Sequence, residues 1–354
     1  MPYTFKSKKM TEELSIKFKI LSIFSMIMVV YIHAYSLNVS FENVDYAMSY
    51  KTNSFIQNFI SQGITRCAVP LFFLMSGFLF FQRFIPSINC FVYKIRKRIK
   101  TLLFPYLFWS LYGLFLYYIL QLMPVDKSFF TNELIKNYSC CQFFDTLFFH
   151  PIPYQFWFIR DLMLLVIVSP LIFLLIKIYY IVIPILFVLW VSPTYFAIVS
   201  IESILFFFLG AFFALKKVKH QNVFLTKYWL VLLLVWFSFI LLKFLCPYVW
   251  IHKVQICLGI LTVWYGYDNL NNRLDFKKIS NAKIMPFSFF IYAFHEPLLT
   301  IVKKGLYYFF HNNEYEAISI YFISPIIVIL ISIYIGDFLR KNALKFYNFI
   351  TGGR

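Results

Sequence analysis

Arg66-Cys67-Ala68-Val69-Pro70-Leu71-Phe72-Phe73-Leu74-Met75-Ser76-Gly77-Phe78-Leu79 is the stretch on which the fold turns. A single charge opens it, and apolar side chains then run on to Phe81. Upstream it continues through a more polar segment with Gln57, Asn58, Ser61 and Gln62. The whole run covers roughly 57–82, and a helix needs only about 20 apolar residues to cross a bilayer. Pro70 and Gly77 are tolerated in such a helix where neighbours satisfy the backbone, and they often mark a break.

Nine further apolar runs flank it. With it they fall at roughly 20–37, 57–82, 101–122, 157–176, 178–195, 198–215, 228–246, 250–268, 284–302 and 318–338. The fifth and sixth meet at Ser192-Pro193-Thr194, so they are expected to be antiparallel neighbours. The composition agrees. Of 354 residues 61% are apolar and 14% charged, and the mean hydropathy is +0.73. Such a chain cannot stay disordered. Its net charge of +18 would suit nucleic acid, but too little polar surface remains to cover a soluble core, so no nucleic-acid partner is expected. The reading is an all-α polytopic membrane protein of about ten transmembrane helices, its partner being the lipid bilayer. Residues 1–354 form a single membrane domain, with 1–19 and 339–354 in the cytoplasm.

The basic residues set that orientation. With both termini cytoplasmic, 24 of the 33 Lys and Arg fall in inner segments and six in outer ones, leaving Arg66, Arg160 and Lys243 within spans. Cytoplasmic loops carry such an excess. The first span is too long for the apolar part of a cleavable signal, and no small-residue cleavage pattern follows His33-Ala34-Tyr35. The longest outer loop, about 123–155, is aromatic and Pro-punctuated, which suits packing on the mouth of the bundle. The six cysteines have no metal-ligand spacing and are read as thiols in an apolar protein. A bridge from Cys140 or Cys141 to Cys246 is the alternative on the oxidising side.

A charge at mid-bilayer costs roughly 3 kcal/mol or more, so intramembrane ionisable groups are functional candidates. They are His33, Arg66, Arg160, Asp161, Glu202, Lys243, His295 and Glu296. In the assumed orientation most lie in the outer half and could line one cavity. Bland readings stand beside this. Lys243, Glu202 and the Arg160–Asp161 pair are near enough to the interface to snorkel. His33 can bond a carbonyl, and His295-Glu296-Pro297 can be a helix break. Arg66 is harder to dismiss, because arginine does not lose its proton and needs an anionic partner or ligand. An imidazole can take a proton from a hydroxyl near neutral pH, and an Arg can bind phosphate or an oxyanion. The basic stretch Tyr93-Lys94-Ile95-Arg96-Lys97-Arg98-Ile99-Lys100 can attract a phosphorylated donor or simply mark the inner face. No P-loop, GxGxxG, HExxH or GxSxG is present, so those chemistries have no support.

These residues resemble, in order and over nearly the whole chain, the bacterial integral-membrane acyltransferase family 3. Val29-Val30-Tyr31-Ile32-His33 is similar to the family's His-terminated first helix. Residues 66–79 resemble its Arg-x-x-Val-Pro-Leu-Phe-Phe-x-x-Ser-Gly-Phe signature. Arg96-Lys97-Arg98 with Pro105-Tyr106 and Trp109, then Trp157-Phe158-Ile159-Arg160-Asp161-Leu162, then Phe289 to Pro297 through His295 and Glu296, complete the series. One position departs: the family often has an Arg eleven residues before the first-helix His, and here that residue is Ser22, with Lys19 and Lys17 nearest.

The resemblance implies O-acyl transfer from acetyl-CoA, used as a substrate with no resident cofactor or metal. The acceptor would be a hydroxyl of a surface polysaccharide or lipid-linked sugar, and the place a bacterial inner membrane. It implies His33 as general base, with Arg66, His295 and Glu296 at the catalytic centre. Arg66, Ser76, Arg98 and, in place of the missing Arg, Lys19 would serve the donor. Trp157, Arg160 and Asp161 would serve the acceptor. A lipid-linked glycan flippase could use the same basic groups, but paired halves with matching broken helices are not evident. A polysaccharide polymerase would want a larger outer loop.

Overall fold

The computed structural model describes residues 11–37, 51–122, 133–192, 198–218, 222–271, 273–310 and 313–353. Among them there are helices and no strands. The helices are α1 (Glu12–Ala34), α2 (Lys51–Phe81), α3 (Ile88–Leu122), α4 (Cys140–Phe148), α5 (Trp157–Ile167), α6 (Ser169–Val191), α7 (Ile201–Leu215), α8 (Trp229–Leu245), α9 (Val249–Leu270), α10 (Ser288–Phe309), α11 (Glu314–Asn342) and α12 (Leu344–Thr351). The protein is an all-α, multi-pass membrane protein. Six described runs are long and apolar enough to span: α1, α2, α3, α6, α11 and Met285–Phe309, which contains α10. Helices α7 and α8 are apolar but shorter, and α9 carries His252, Lys253 and Asp268.

Two boundaries differ from the sequence reading. Lys177 does not separate two spans. The chain takes one 3-10 turn at Ile176–Ile178 and stays helical through α6, while the interruption lies at Val168. Pro170 explains this, since proline suits the first turn of a helix and has no N–H to continue an earlier one. In α2 the break lies upstream of Pro70 rather than at it. Asn58–Gly63 winds as a π-helix and Ile64–Cys67 as a 3-10 helix before regular helix begins at Ala68. A proline ring crowds the carbonyl four residues earlier, which here is that of Arg66. The expected turn at 192–194 lies partly outside the described residues. Its flanking helices do pack, with Trp190 and Phe206 ring centroids 5.2 Å apart.

The chain divides into two compact units. The first comprises residues 1–25, 66–97 and 164–285. Its tightest packing joins the regular part of α2 to α7. A Cβ placed on Gly77 would fall on the Phe207 carbonyl, and one on Gly210 would fall on that of Leu74. Small residues that let backbones approach are what membrane helices use in place of a hydrophobic drive. Gly259 of α9 serves likewise, with a Cβ there 2.9 Å from both Cys67 and Trp236. Replacing Gly77 by Val is therefore expected to cost about 1–3 kcal/mol through overpacking, read as a lowered unfolding temperature in detergent. Gly305 has open space around it, so Gly305→Ala should be neutral or slightly stabilising in the same assay.

The second unit comprises residues 26–65, 98–163 and 286–354. Here Ser61 donates to the Tyr31 carbonyl at 2.6 Å and shares a 2.7 Å bond with the Tyr321 hydroxyl, which ties α2 to α1 and α11. Trp109 of α3 donates to the Ile350 carbonyl of α12 at 2.9 Å and meets the Phe290 ring at 5.7 Å. Gly113 admits Pro153, so the segment before α5 lies against α3. Phe156 then sits between Tyr106 and Tyr292, at 6.0 and 5.8 Å. That packing carries Tyr154 and Gln155 to the middle of α10.

All six cysteines lie among the described residues and none forms a disulfide.

Candidate active site

The second unit gathers its polar groups where α10 breaks. Glu296 has φ −111° and ψ 136°, outside helical values, and the Glu296–Pro297 peptide is cis. The Ala293 carbonyl would ordinarily bond the N–H of residue 297, but Pro297 has none. Gln155 supplies the missing donor. Its Nε2 lies 3.4 Å from the Ala293 carbonyl and 3.3 Å from that of Glu296. Its own carbonyl accepts from the Tyr292 hydroxyl at 2.6 Å. Gln155 is thus a built part of the kink.

His295 and Glu296 are buried there. His295 Nδ1 is 2.7 Å from the Tyr292 carbonyl and 3.2 Å from that of Ile291. A carbonyl only accepts, so Nδ1 carries the hydrogen, and in the neutral ring Nε2 is left as an acceptor. Glu296 Oε2 accepts from the Thr300 hydroxyl at 2.9 Å, one turn on.

His33, at the end of α1, faces this kink. Its ring centroid is 5.1 Å from that of His295 and 4.8 Å from that of Tyr154. Its Nδ1 shares a 2.5 Å hydrogen bond with the Tyr154 hydroxyl, which fixes the ring and directs Nε2 elsewhere. Lys303 locks the backbone beneath. Its buried Nζ donates to the His33 carbonyl at 2.6 Å and to the Tyr35 carbonyl at 3.3 Å. A cation on the last carbonyls of a helix is favoured by their partial negative charge. Lys303 also interacts electrostatically with Glu296. The structure thus brings together three sequence candidates, His33, His295 and Glu296.

Arg160 and Asp161 pair with each other, Nη2 to Oδ1 at 3.1 Å, and Arg160 Nη1 donates to the Phe149 carbonyl at 2.7 Å. Asp161 is fully buried. The Arg160–Phe149 hydrogen bond fastens the end of α4 to α5, and Asp161 holds the guanidinium for it. Trp157 is half-buried at the start of α5 and Arg98 half-buried in α3.

Arg66 belongs to the first unit, in the 3-10 turn before the regular part of α2. It is coupled electrostatically to Glu202, Lys243, His252 and Lys253. Glu202 accepts from Trp190 Nε1 at 3.0 Å and lies 3.9 Å from Lys253 Nζ. The intramembrane ionisable groups therefore sort into two sets, one in each unit. Ser76 is half-buried beside Gly77.

Lys19 is exposed. The base that α1 buries is Lys17, which pairs with Asp268 at 2.7 Å and lies 3.9 Å above the Trp264 ring. A cavity of about 530 Å³ opens beside that pair. Its lining carries Glu12, Glu13, Asp268 and Asp275 against Lys17 and Lys277. An acidic lining disfavours a polyphosphate, so this cavity is a poor place for a coenzyme A donor.

Tyr154, Gln155 and Lys303 were not singled out from sequence. The findable signal was spacing. Thr300 and Lys303 follow Glu296 at four and seven residues, on one face of a helix. No comparable signal marks Tyr154 or Gln155 within their aromatic loop.

A family model described as an acyltransferase domain matches residues 18–337. No curated protein and no solved structure matches the chain.

Proposed function

The chain belongs to the acyltransferase 3 family, and from that premise we propose that it moves an acetyl or other short acyl group from acyl-CoA to a sugar hydroxyl. The acceptor would be a surface polysaccharide or a lipid-linked sugar, modified at the outer face of a bacterial inner membrane. Ten crossings with both termini cytoplasmic would put the donor on the opposite side from the acceptor. The observation that carries this reading is the pairing of His33 with Tyr154 and His295 at the broken middle of α10.

His33 Nε2 takes the proton of the acceptor hydroxyl, while Nδ1–H donates to the Tyr154 oxygen. The hydroxyl oxygen attacks the thioester carbonyl, and the C–O bond forms. The C–S bond then breaks, and the thiolate leaves with the proton held by His33. The products are an ester and the free thiol of CoA. Such general-base help contributes about 10²–10⁴-fold. Arg66, Lys19, Ser76 and Arg98 are the residues assigned to the donor. Trp157 stacks on a sugar, and Arg160 and Asp161 hold the acceptor segment in place.

The direct test is mass spectrometry of the surface glycan with and without the gene. Loss of one acyl mass per modified sugar on deletion, restored by the gene in trans, is the expected result. A change of glycan amount or chain length without loss of ester would instead mark a flippase or polymerase.

A further inference from the structure

The C-terminal helix α12 lies beyond residues 18–337, the stretch that the family covers. It follows α11 after one non-helical residue, Ala343, with φ −142° and ψ 53°. Its side chains sort into three sectors. Tyr347, Ile350 and Thr351 form the buried one. There the Tyr347 hydroxyl donates to the Pro286 carbonyl at 3.2 Å, and its ring stacks on Phe290 at 5.9 Å. On one flank Phe346 and Phe349 stay 43% and 49% exposed. Their rings meet Phe108 at 5.5 and 6.3 Å, and Phe349 also meets the exposed Phe104 at 6.0 Å. Phe104 and Phe108 belong to α3, which is long and apolar enough to span. The exposed rings of α12 therefore continue the outer surface of a spanning helix. Lys345 and Asn348, both exposed, take the sector turned away from the buried one.

The end of α12 is closed by protein groups. The last carbonyls of a helix have no partner within it, and in lipid each must find one. That of Asn348 accepts from the Gly353 N–H at 2.8 Å, that of Phe349 from the Gly352 N–H at 3.4 Å, and that of Ile350 from Trp109 Nε1 at 2.9 Å. Gly352 takes φ 69°, and a Cβ there would fall on the Thr101 carbonyl. Bases stand at both ends of the helix. Arg340, Lys341 and Lys345 are exposed at its start, and Lys100, which adjoins Thr101, is exposed at its close. Asp337 offsets one of them, pairing with Lys341 at 2.6 Å.

We propose that α12 is an interfacial helix seated in one leaflet of the bilayer, with phospholipid acyl chains on Phe346 and Phe349 and anionic headgroups on Arg340, Lys345 and Lys100. In the orientation read from the charge pattern this is the inner leaflet. Acyl chains fit the phenyl flank because it runs on from the apolar surface of α3. Anionic headgroups fit the ends because bases gather there, and such bases are drawn to an anionic membrane surface. A helix with one apolar flank and a basic outward sector lies in the plane of the interface. None of this depends on which reaction the protein catalyses.

The test has two arms on the full-length protein. 4-Benzoylphenylalanine in place of Phe349 should, on irradiation of membranes, give a phospholipid adduct seen by mass spectrometry, and in place of Asn348 a much smaller yield. Hydrogen exchange of the 344–353 amides is followed in phosphatidylcholine nanodiscs with and without phosphatidylglycerol. Exchange should be about tenfold slower with the anionic lipid. Arg340→Gln combined with Lys345→Gln should remove most of that difference. No lipid adduct at Phe349, an adduct with another protein in its place, or an equal yield at Asn348 overturns the seat in the leaflet. Equal exchange in the two lipids, or a difference kept in full by the double variant, overturns the anionic headgroups.

Discussion

His33→Ala is expected to remove about 10²–10⁴-fold of the ester-forming rate, while the protein accumulates in the membrane as before. The two halves of that statement have separate structural grounds. The imidazole meets the Tyr154 hydroxyl through Nδ1 and lies against the His295 ring at the break of α10. His295 spends Nδ1 on Tyr292, and Lys303 spends its ammonium on α1. Removing the His33 ring leaves no base in its place. The fold should tolerate the loss, because Lys303 holds the His33 carbonyl and not its side chain. The ring itself is only half-buried. Tyr154→Phe should give a smaller loss, about tenfold, by freeing Nδ1 and the ring orientation it sets. Tyr154 is 51% exposed, so this variant should also fold. The readouts are glycan ester content by mass spectrometry and protein level by immunoblot of membranes. Ester persisting at the wild-type level in His33→Ala would end the assignment of His33 as base.

What the sequence made legible was what depends on composition and local pattern. Apolar runs of about 20 residues gave helices because a helix satisfies its own backbone in lipid, and α1, α3 and α11 fall on expected spans. Gly77 draws notice with Pro70 as a mark of a break, and the structure shows it instead as the place where the Phe207 carbonyl lies against α2. His33, His295 and Glu296 drew notice as ionisable groups in apolar surroundings. What stayed hidden depends on tertiary partners. Lys303 falls in an outer segment in the charge pattern, and one sequence cannot show that its ammonium reaches the end of α1. Gln155 matters because Pro297 leaves a carbonyl without its helical partner, and the two are far apart in the chain. Arg160 and Asp161 drew attention as intramembrane charges, yet they pair with each other and fasten a helix end. Lys177 separates the fourth and fifth apolar runs, whereas Pro170 governs where the helix stops.

Lys303→Met should be the most destabilising of the substitutions considered. The methionine fills a similar volume but leaves the carbonyls of His33 and Tyr35 without their donor, and leaves the Glu296 carboxylate buried without the cation that acts on it. A buried carbonyl left without its donor costs about 1–3 kcal/mol, two are left here, and the loss of the cation that acts on Glu296 adds to this. The expected result is a large drop in unfolding temperature in detergent. Glu296→Gln combined with Lys303→Met should recover a sizeable part of that loss, since the stranded charge is then gone. The recovery should not extend to activity. Ester formation depends on where α1 ends, and neither methionine nor glutamine holds the His33 carbonyl. If Lys303 only stabilised the fold, ester formed per folded molecule in the double variant would match that of Glu296→Gln alone. If it positions His33, the double variant will be stable and slower than Glu296→Gln. Measuring unfolding temperature and ester yield on the same preparations separates the two, and a double variant as fast as Glu296→Gln would reduce Lys303 to a structural cation.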